Sequence, residues 1–171
     1  MGNKKIVLLL SHPALSQSVA NKALSDVAAR FPEVQIINLY DNDFDTDAQV
    51  KAIDKASAVI FQFPFYWASA PSQLKKWIDE VFTGIAGTGV VKNKPLLVVT
   101  TTASEYEAYR SGGRNKFTID ELLRPYQMLA NHSGMIWQTP LAVYGMATDE
   151  AVQNLNKGAD EYRKRIESLL G

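Results

Sequence analysis

Apolar residues occur along this chain in two alternating arrangements. Short solid runs of five to seven residues are separated by longer stretches in which apolar residues recur every three or four positions. The first arrangement marks strands buried on both faces, and the second marks one face of a helix. IVLLL (Ile6 to Leu10) predicts strand one. Val19, Ala20, Ala23, Leu24, Val27 and Phe31 then form a helical stripe, and VQIINLY (Val34 to Tyr40) predicts strand two. TDAQVKAIDKA follows as a short helix, with Thr46 and Asp47 as cap candidates. AVIFQF (Ala58 to Phe63) predicts strand three.

The second half continues in the same manner. Pro71 stands where a first helical turn tolerates proline, ahead of the stripe Leu74, Trp77, Ile78, Val81 and Phe82. PLLVVTT (Pro95 to Thr101) predicts strand four. A long polar segment leads to a helix from about Thr118 to Asn131, stopped by Ser133-Gly134. MIWQTPLAVYG predicts strand five, and Thr148 to Leu170 an amphipathic final helix. Strands alternating with helices imply right-handed βαβ units and a parallel sheet covered on both faces. The expectation is therefore one α/β domain over residues 1–171, three-layered and doubly wound, with five parallel strands in the order 2-1-3-4-5. No repeat, linker or low-complexity tract divides it.

Composition narrows the chemistry. Eighteen basic residues balance eighteen acidic ones, so the chain lacks the basic footprint that nucleic acid demands. With no cysteine and only His12 and His132, it offers no disulfide framework, thiolate nucleophile, zinc–thiolate site or histidine cage, and no metal is expected. The start MGNKKIVLLLSHP reads as the first strand of a cytoplasmic protein, not a signal peptide. Ile6 stands where myristoylation requires Ser or Thr, and no apolar segment is long enough for membrane insertion.

In an open parallel sheet of this order, ligands bind beyond the carboxyl ends of the strands, at the switch point between strands one and three. Three loops lie there. SHPALSQSVAN (Ser11 to Asn21) offers hydroxyls, an amide, a histidine and a helix start, a setting suited to an anion such as phosphate. The same serines also serve simply as caps. The loop lacks both G-x-G-x-x-G and the P-loop pattern. FPFYWASAP (Phe63 to Pro71) places aromatics where turn residues are usual. Such a cluster either fills the core or a subunit contact, or stacks against a flat heteroaromatic ring. TTASEYEAYRSGGRN (Thr101 to Asn115) is a long loop with Tyr106, Tyr109 and a flexible Gly112-Gly113 pair. GIAGTGV (Gly84 to Val90) lacks the P-loop lysine and reads as a connection.

Four stretches, in order, carry a resemblance: SHPALSQSVAN, VIFQFPFYWASAPSQLKKWIDEVF, VVTTTASEYEAY and FTIDELLRPYQMLANHSGM. They resemble the NAD(P)H:quinone oxidoreductase family of flavoproteins, which includes ancillary subunits of potassium-efflux systems. FP-x-x-W followed by P-x-x-L-K-x-W-x-D is the specific part. The resemblance implies a flavodoxin-like fold, a homodimer with its site near the interface, and FMN in preference to FAD because the chain is short. It implies two-electron transfer from NADPH or NADH to a quinone-like acceptor through one shared slot, hence ping-pong kinetics. It places His12, Ser18, Val19, Ala20 and Asn21 at the flavin's phosphate end. Phe65, Tyr66, Trp67 and Ala68 fall along the ring and ribityl chain, and Thr101, Thr102, Ala103 and Ser104 at the ring's carbonyl edge. The family's catalytic tyrosine falls on Tyr109, and the histidine some members pair with it falls on Asn115.

Two departures stand out. Ala103-Ser104 replace a Gly-Gly pair that lets backbone approach the ring closely. Asn115 forms hydrogen bonds but takes up no proton at neutral pH. The alternative function is a flavin-binding regulatory subunit of a transport protein. An acidic one-electron shuttle fits a neutral chain less well.

Overall fold

All five side chains of Ile6–Leu10 (β1) are buried, as a strand covered on both faces requires. The computed structural model describes residues 4–41 and 44–171; the Met-Gly start weighed above for lipidation lies outside them. β1 runs parallel between Val34–Asn38 (β2) and Ala58–Pro64 (β3), and β3 pairs in turn with Pro95–Thr101 (β4). The sheet order is β2-β1-β3-β4-β5, with β5 at Ile136–Trp137. This is the flavodoxin-like arrangement, and it puts the carboxyl ends of β1, β3 and β4 side by side.

Alternate side chains of each strand feed two cores. Ile6, Leu8 and Leu10 pack with Leu24 of Val19–Ala28 (α1) and with Tyr162 and Ile166 of Ala151–Leu170 (α7). Val7 and Leu9 pack on the other side, with Ile53 of Thr46–Lys55 (α2) and Leu74 and Trp77 of Ser72–Trp77 (α3). The buried Trp77 indole N–H donates to the Gln49 side-chain oxygen at 2.8 Å, so α3 carries its largest side chain into the core without an orphaned donor. α3 continues through a π-helical turn at Ile78–Phe82 into Thr83–Ile85 (α4).

The structure corrects several boundaries. Strand five is split: β5 ends at Trp137, and Leu141–Val143 (β6) resumes the pairing with β4. Pairing shifts by one residue between the halves, from Leu96 opposite Trp137 to Val99 opposite Leu141. Pro140, which has no N–H for the ladder, sits at this bulge. The helix expected from Thr118 is likewise split, into Ile119–Leu122 (α5) and Arg124–Ser133 (α6). Thr118 and Glu121 form a capping box, but Pro125 lacks the N–H that would carry the helix through, and Leu123 breaks it. Gly134, at φ +73°, ends α6 as expected. Asp45 caps α2, where Thr46 or Asp47 was expected, and α7 begins at Ala151 after a turn, not at Thr148. Phe31 lies beyond the end of α1, and Val19 is 79% exposed at its start, outside the buried stripe.

Candidate functional site

The ends of β1, β3 and β4 are fastened together by polar groups buried beneath the loops. The Asn21 side-chain amide donates to Thr101 Oγ1 at 2.9 Å, and Gln62 Nε2 donates to the Asn21 carbonyl at 2.8 Å. The Ser11 N–H donates to the Gln62 carbonyl at 2.9 Å. One residue of α1 is thereby held to both β3 and β4. Asn21 Oδ1, Gln62 Oε1 and Ser11 Oγ remain buried without a partner. Gln62 and Ser11 carry no motif of their own; only a polar residue inside an apolar run marked Gln62.

Ser18 is the N-cap of α1, its hydroxyl accepting from the Asn21 N–H at 3.2 Å. The N–H groups of Val19 and Ala20 open the helix with no intrahelical acceptor, a setting that attracts an anion. His12 lies close by. Its Nδ1 accepts from the Ala14 N–H at 3.0 Å, which leaves Nε2 as the donor of the neutral ring. Burial lowers its pKa below the ordinary value, and its ring meets Tyr66 edge-on at 6.2 Å.

The aromatic stretch is a two-residue hairpin standing on β3. Tyr66 and Ser69 exchange N–H···O bonds of 2.9 and 3.0 Å, with Trp67 at φ +48° and Ala68 at φ +62° between them. Positive φ at both central residues belongs to a type I′ turn, normally made with Asn and Gly. Trp67 and Ala68 occupy it at a strain cost of roughly 1–3 kcal/mol each. The Trp67 side chain is 100% exposed. The hairpin is pinned from below: the Phe65 N–H donates to the Thr101 carbonyl at 2.9 Å, and the Ala70 N–H to the Tyr126 hydroxyl at 3.0 Å. Phe63 is core, packed on Tyr126 at 5.3 Å.

The loop after β4 is zipped to a fourth segment. Gly145, Met146 and Ala147 donate their N–H groups to the carbonyls of Ser104, Thr102 and Ala103 at 2.8, 2.9 and 3.0 Å. Gly145 turns into this register at φ +76°. Tyr109 closes the 3-10 turn Tyr106–Tyr109, its ring 6.0 Å from Phe65 and 5.8 Å from Tyr144. Burial raises the Tyr109 pKa, against the opposing pull of the Ser104 hydroxyl and the Arg114 charge. Tyr144 is pushed up to about 12, again mainly by burial. Both phenols hold their protons at neutral pH. The Asn115 N–H is bonded to the Ala108 carbonyl at 3.1 Å.

These segments enclose a cleft of about 380 Å³. His12, Ser18, Val19, Ala20 and Asn21 line one end of it. Phe65, Tyr66, Thr101, Thr102 and Ala103 line the other. Trp67, Ala68, Ser104, Tyr109 and Asn115 lie outside the lining: the first two project on the hairpin, and the rest stand behind the β4 loop. Six lining residues were not anticipated: Pro64, Met146, Ala147, Ala151, Val152 and Leu155. The last five come from the approach to α7 and its first turns, which carry no motif. Val152, 73% exposed at the start of a helix, is their one legible signal. The cleft suits a long ligand with an anionic end at α1 and a flat, mainly apolar end between Phe65–Tyr66 and Thr101–Ala103. FMN has that form, and the Val19 and Ala20 N–H groups at the start of α1 offer donors to its phosphate.

Comparison with known proteins agrees with this architecture. A family model described as flavodoxin-like fold matches residues 4–166. The glutathione-regulated potassium-efflux system ancillary protein KefG of Cronobacter sakazakii is 35% identical over 148 residues, 82% of this chain and 80% of its own. General stress protein 14 of Treponema denticola, solved in complex with FMN, is 26% identical and superposes with a TM-score of 0.89 over 96% of this chain and 99% of that one. An NADPH-quinone reductase from P. pentosaceus is 28% identical, with a TM-score of 0.80 over 92% of this chain and 97% of that one.

Proposed function

This chain belongs to the flavodoxin-like family of NAD(P)H oxidoreductases and quinone reductases, and on that premise we propose that it is an FMN-dependent enzyme carrying electrons from NADPH or NADH to quinones or similar electron-poor aromatics. One observation carries the reading: a single cleft joins an anion-binding helix start to a strained aromatic hairpin. The names of the relatives that bind FMN or reduce quinones support it.

In this reading His12 Nε2–H, the Ser18 hydroxyl and the Val19 and Ala20 N–H groups hold the phosphate, with Asn21 behind them. Phe65, Tyr66 and Thr101 to Ala103 flank the ring, with Trp67, Ala68 and Ser104 at its margin. FMN, when bound, supplies the hydride chemistry, and the chain supplies position and charge. The cleft is open on the hairpin side, so donor and acceptor take turns against one ring face, which gives ping-pong kinetics. Tyr109, kept protonated by its buried setting just outside the cleft lining, would be the hydrogen-bond donor for the ring edge, with Asn115 as its neutral partner. A second copy of the chain covers the open side. The exposed Trp67 indole and a hollow of about 660 Å³, partly lined by Ile78, Met128 and Leu129, provide its apolar contact.

The test is a titration of purified apo-protein with FMN, followed by NADPH oxidation with and without a quinone. Tight binding with quinone-dependent turnover is expected, and a chain that takes up no FMN refutes the proposal. The likeness to KefG favours a second role, regulation of a transport protein. Catalysis unaffected by any partner, together with no binding to the transporter, removes that role.

A further inference from the structure

The loop between β4 and α5 doubles back and returns a guanidinium to the residue just past the cleft wall. Ala103 lines the cleft, and Ser104 follows it. The Ser104 hydroxyl accepts from Arg114 Nη2 at 2.6 Å. Its carbonyl is already held by the Gly145 N–H and the Thr102 hydroxyl, both at 2.8 Å. Ser104 is therefore fixed from two sides, and Arg114 is fixed through it.

Backbone geometry sets this return path. The Gly113 N–H donates to the Arg110 carbonyl at 2.8 Å, and Asn115 to Ala108 at 3.1 Å. A Cβ on Gly113 would overlap the Glu107 carbonyl oxygen, so this glycine is packed against the 3-10 turn, while a Cβ on Gly112 would meet open space. Of the neighbouring charges, the Glu105 carboxylate lies 3.8 Å from the Arg114 guanidinium in an ion pair exposed to solvent, so it opposes but does not remove the arginine's charge. Arg110 is occupied elsewhere, stacked 5.1 Å over Tyr106. The Tyr109 phenol is the remaining titratable group beside Ser104, and it stays neutral.

Building on the FMN reading above, we infer that Arg114 is a positioning residue. Held by Ser104, it sets a permanent positive charge at this end of the cleft and favours the cofactor once it has gained negative charge. A hydride carries two electrons and one proton. When the nicotinamide gives one up and becomes oxidised, a neutral flavin gains one net negative charge, and no protein proton is needed. An arginine does not titrate near neutrality, so its charge is constant with pH, and its preference applies wherever the reduced flavin stays anionic. Two unit charges about 6 Å apart at an effective dielectric of about 40 give a discrimination on the order of tenfold.

The test compares apo-protein affinity for oxidised and two-electron-reduced FMN, and the midpoint potential of the complex from about pH 6 to 8, in the parent, Arg114→Gln, Arg114→Lys and Ser104→Ala. Arg114→Gln is expected to bind oxidised FMN within about threefold of the parent and reduced FMN about tenfold more weakly at the alkaline end of the range, where the reduced flavin is anionic, which lowers the potential there by about 30 mV. Arg114→Lys keeps most of the parent potential, and Ser104→Ala falls between parent and Arg114→Gln. The inference is overturned by equal weakening of both redox forms, by Lys behaving as Gln, by Ser104→Ala behaving as parent, or by an offset absent at the alkaline end of the range. A parent that binds no FMN at all fails earlier, at the reading on which this one rests.

Discussion

Trp67 is a residue placed against its own backbone preference. A side chain at φ +48° costs stability that a glycine would not. Trp67→Gly is therefore expected to raise the thermal midpoint, by the equivalent of about 1 kcal/mol, while weakening FMN retention. A melt paired with an FMN titration separates the two effects, and a variant that loses stability contradicts the strain argument. His12 gives a prediction in pH. Burial lowers its folded pKa below 6.5, so as pH falls through 6.5 the unfolded chain takes up the proton first. Its contribution to stability is full above 6.5 and is lost as pH falls through the folded value. Melting curves of the apo-protein should decline over that window, and His12→Gln should flatten this part of the decline.

At the scale of elements, the site depends on how β1, β3 and β4 are held to the start of α1. Asn21 holds β3 and β4, with its amide on Thr101 and its carbonyl under Gln62, and β1 joins them through the Ser11 N–H on the Gln62 carbonyl. Thr101→Val keeps the shape and leaves the buried amide without an acceptor, a cost of roughly 1–3 kcal/mol. Chemical denaturation should show that loss, and FMN affinity should fall with it because the phosphate end and the ring end lose register. Undiminished affinity would mean that the clamp does not set the site. The loop carrying Arg114 depends similarly on Gly113. Gly113→Ala forces the Glu107 carbonyl aside, and hydrogen exchange should quicken at Asn115, whose N–H is bonded to Ala108.

For the whole molecule, the hairpin that carries the fully exposed Trp67 also contributes Ser69 to the apolar hollow beside α6. Met128, 64% exposed on that face, is the place to charge it. If a second copy covers the site, Met128→Glu yields monomers in sedimentation and loses NAD(P)H oxidation. FMN binding at the phosphate end is retained in part. A dimer that survives the charge lies on another face.

The strands, their parallel pairing and the order 2-1-3-4-5 were legible in the chain, because apolar periodicity and strand–helix alternation are local signals that tertiary packing only completes. The first three site loops were legible for the same reason: each follows an apolar run whose end marks the switch point. Other features were settled by distant partners. The split of strand five needs β4 as its ruler, Met146 to Leu155 enter the cleft through pairing with residues some forty positions away, and Arg114 reaches Ser104 because a glycine passes a carbonyl. Such contacts leave no periodicity behind. They are made when backbone groups far apart in the chain find each other as hydrogen-bond partners, and only the folded molecule brings those groups within reach.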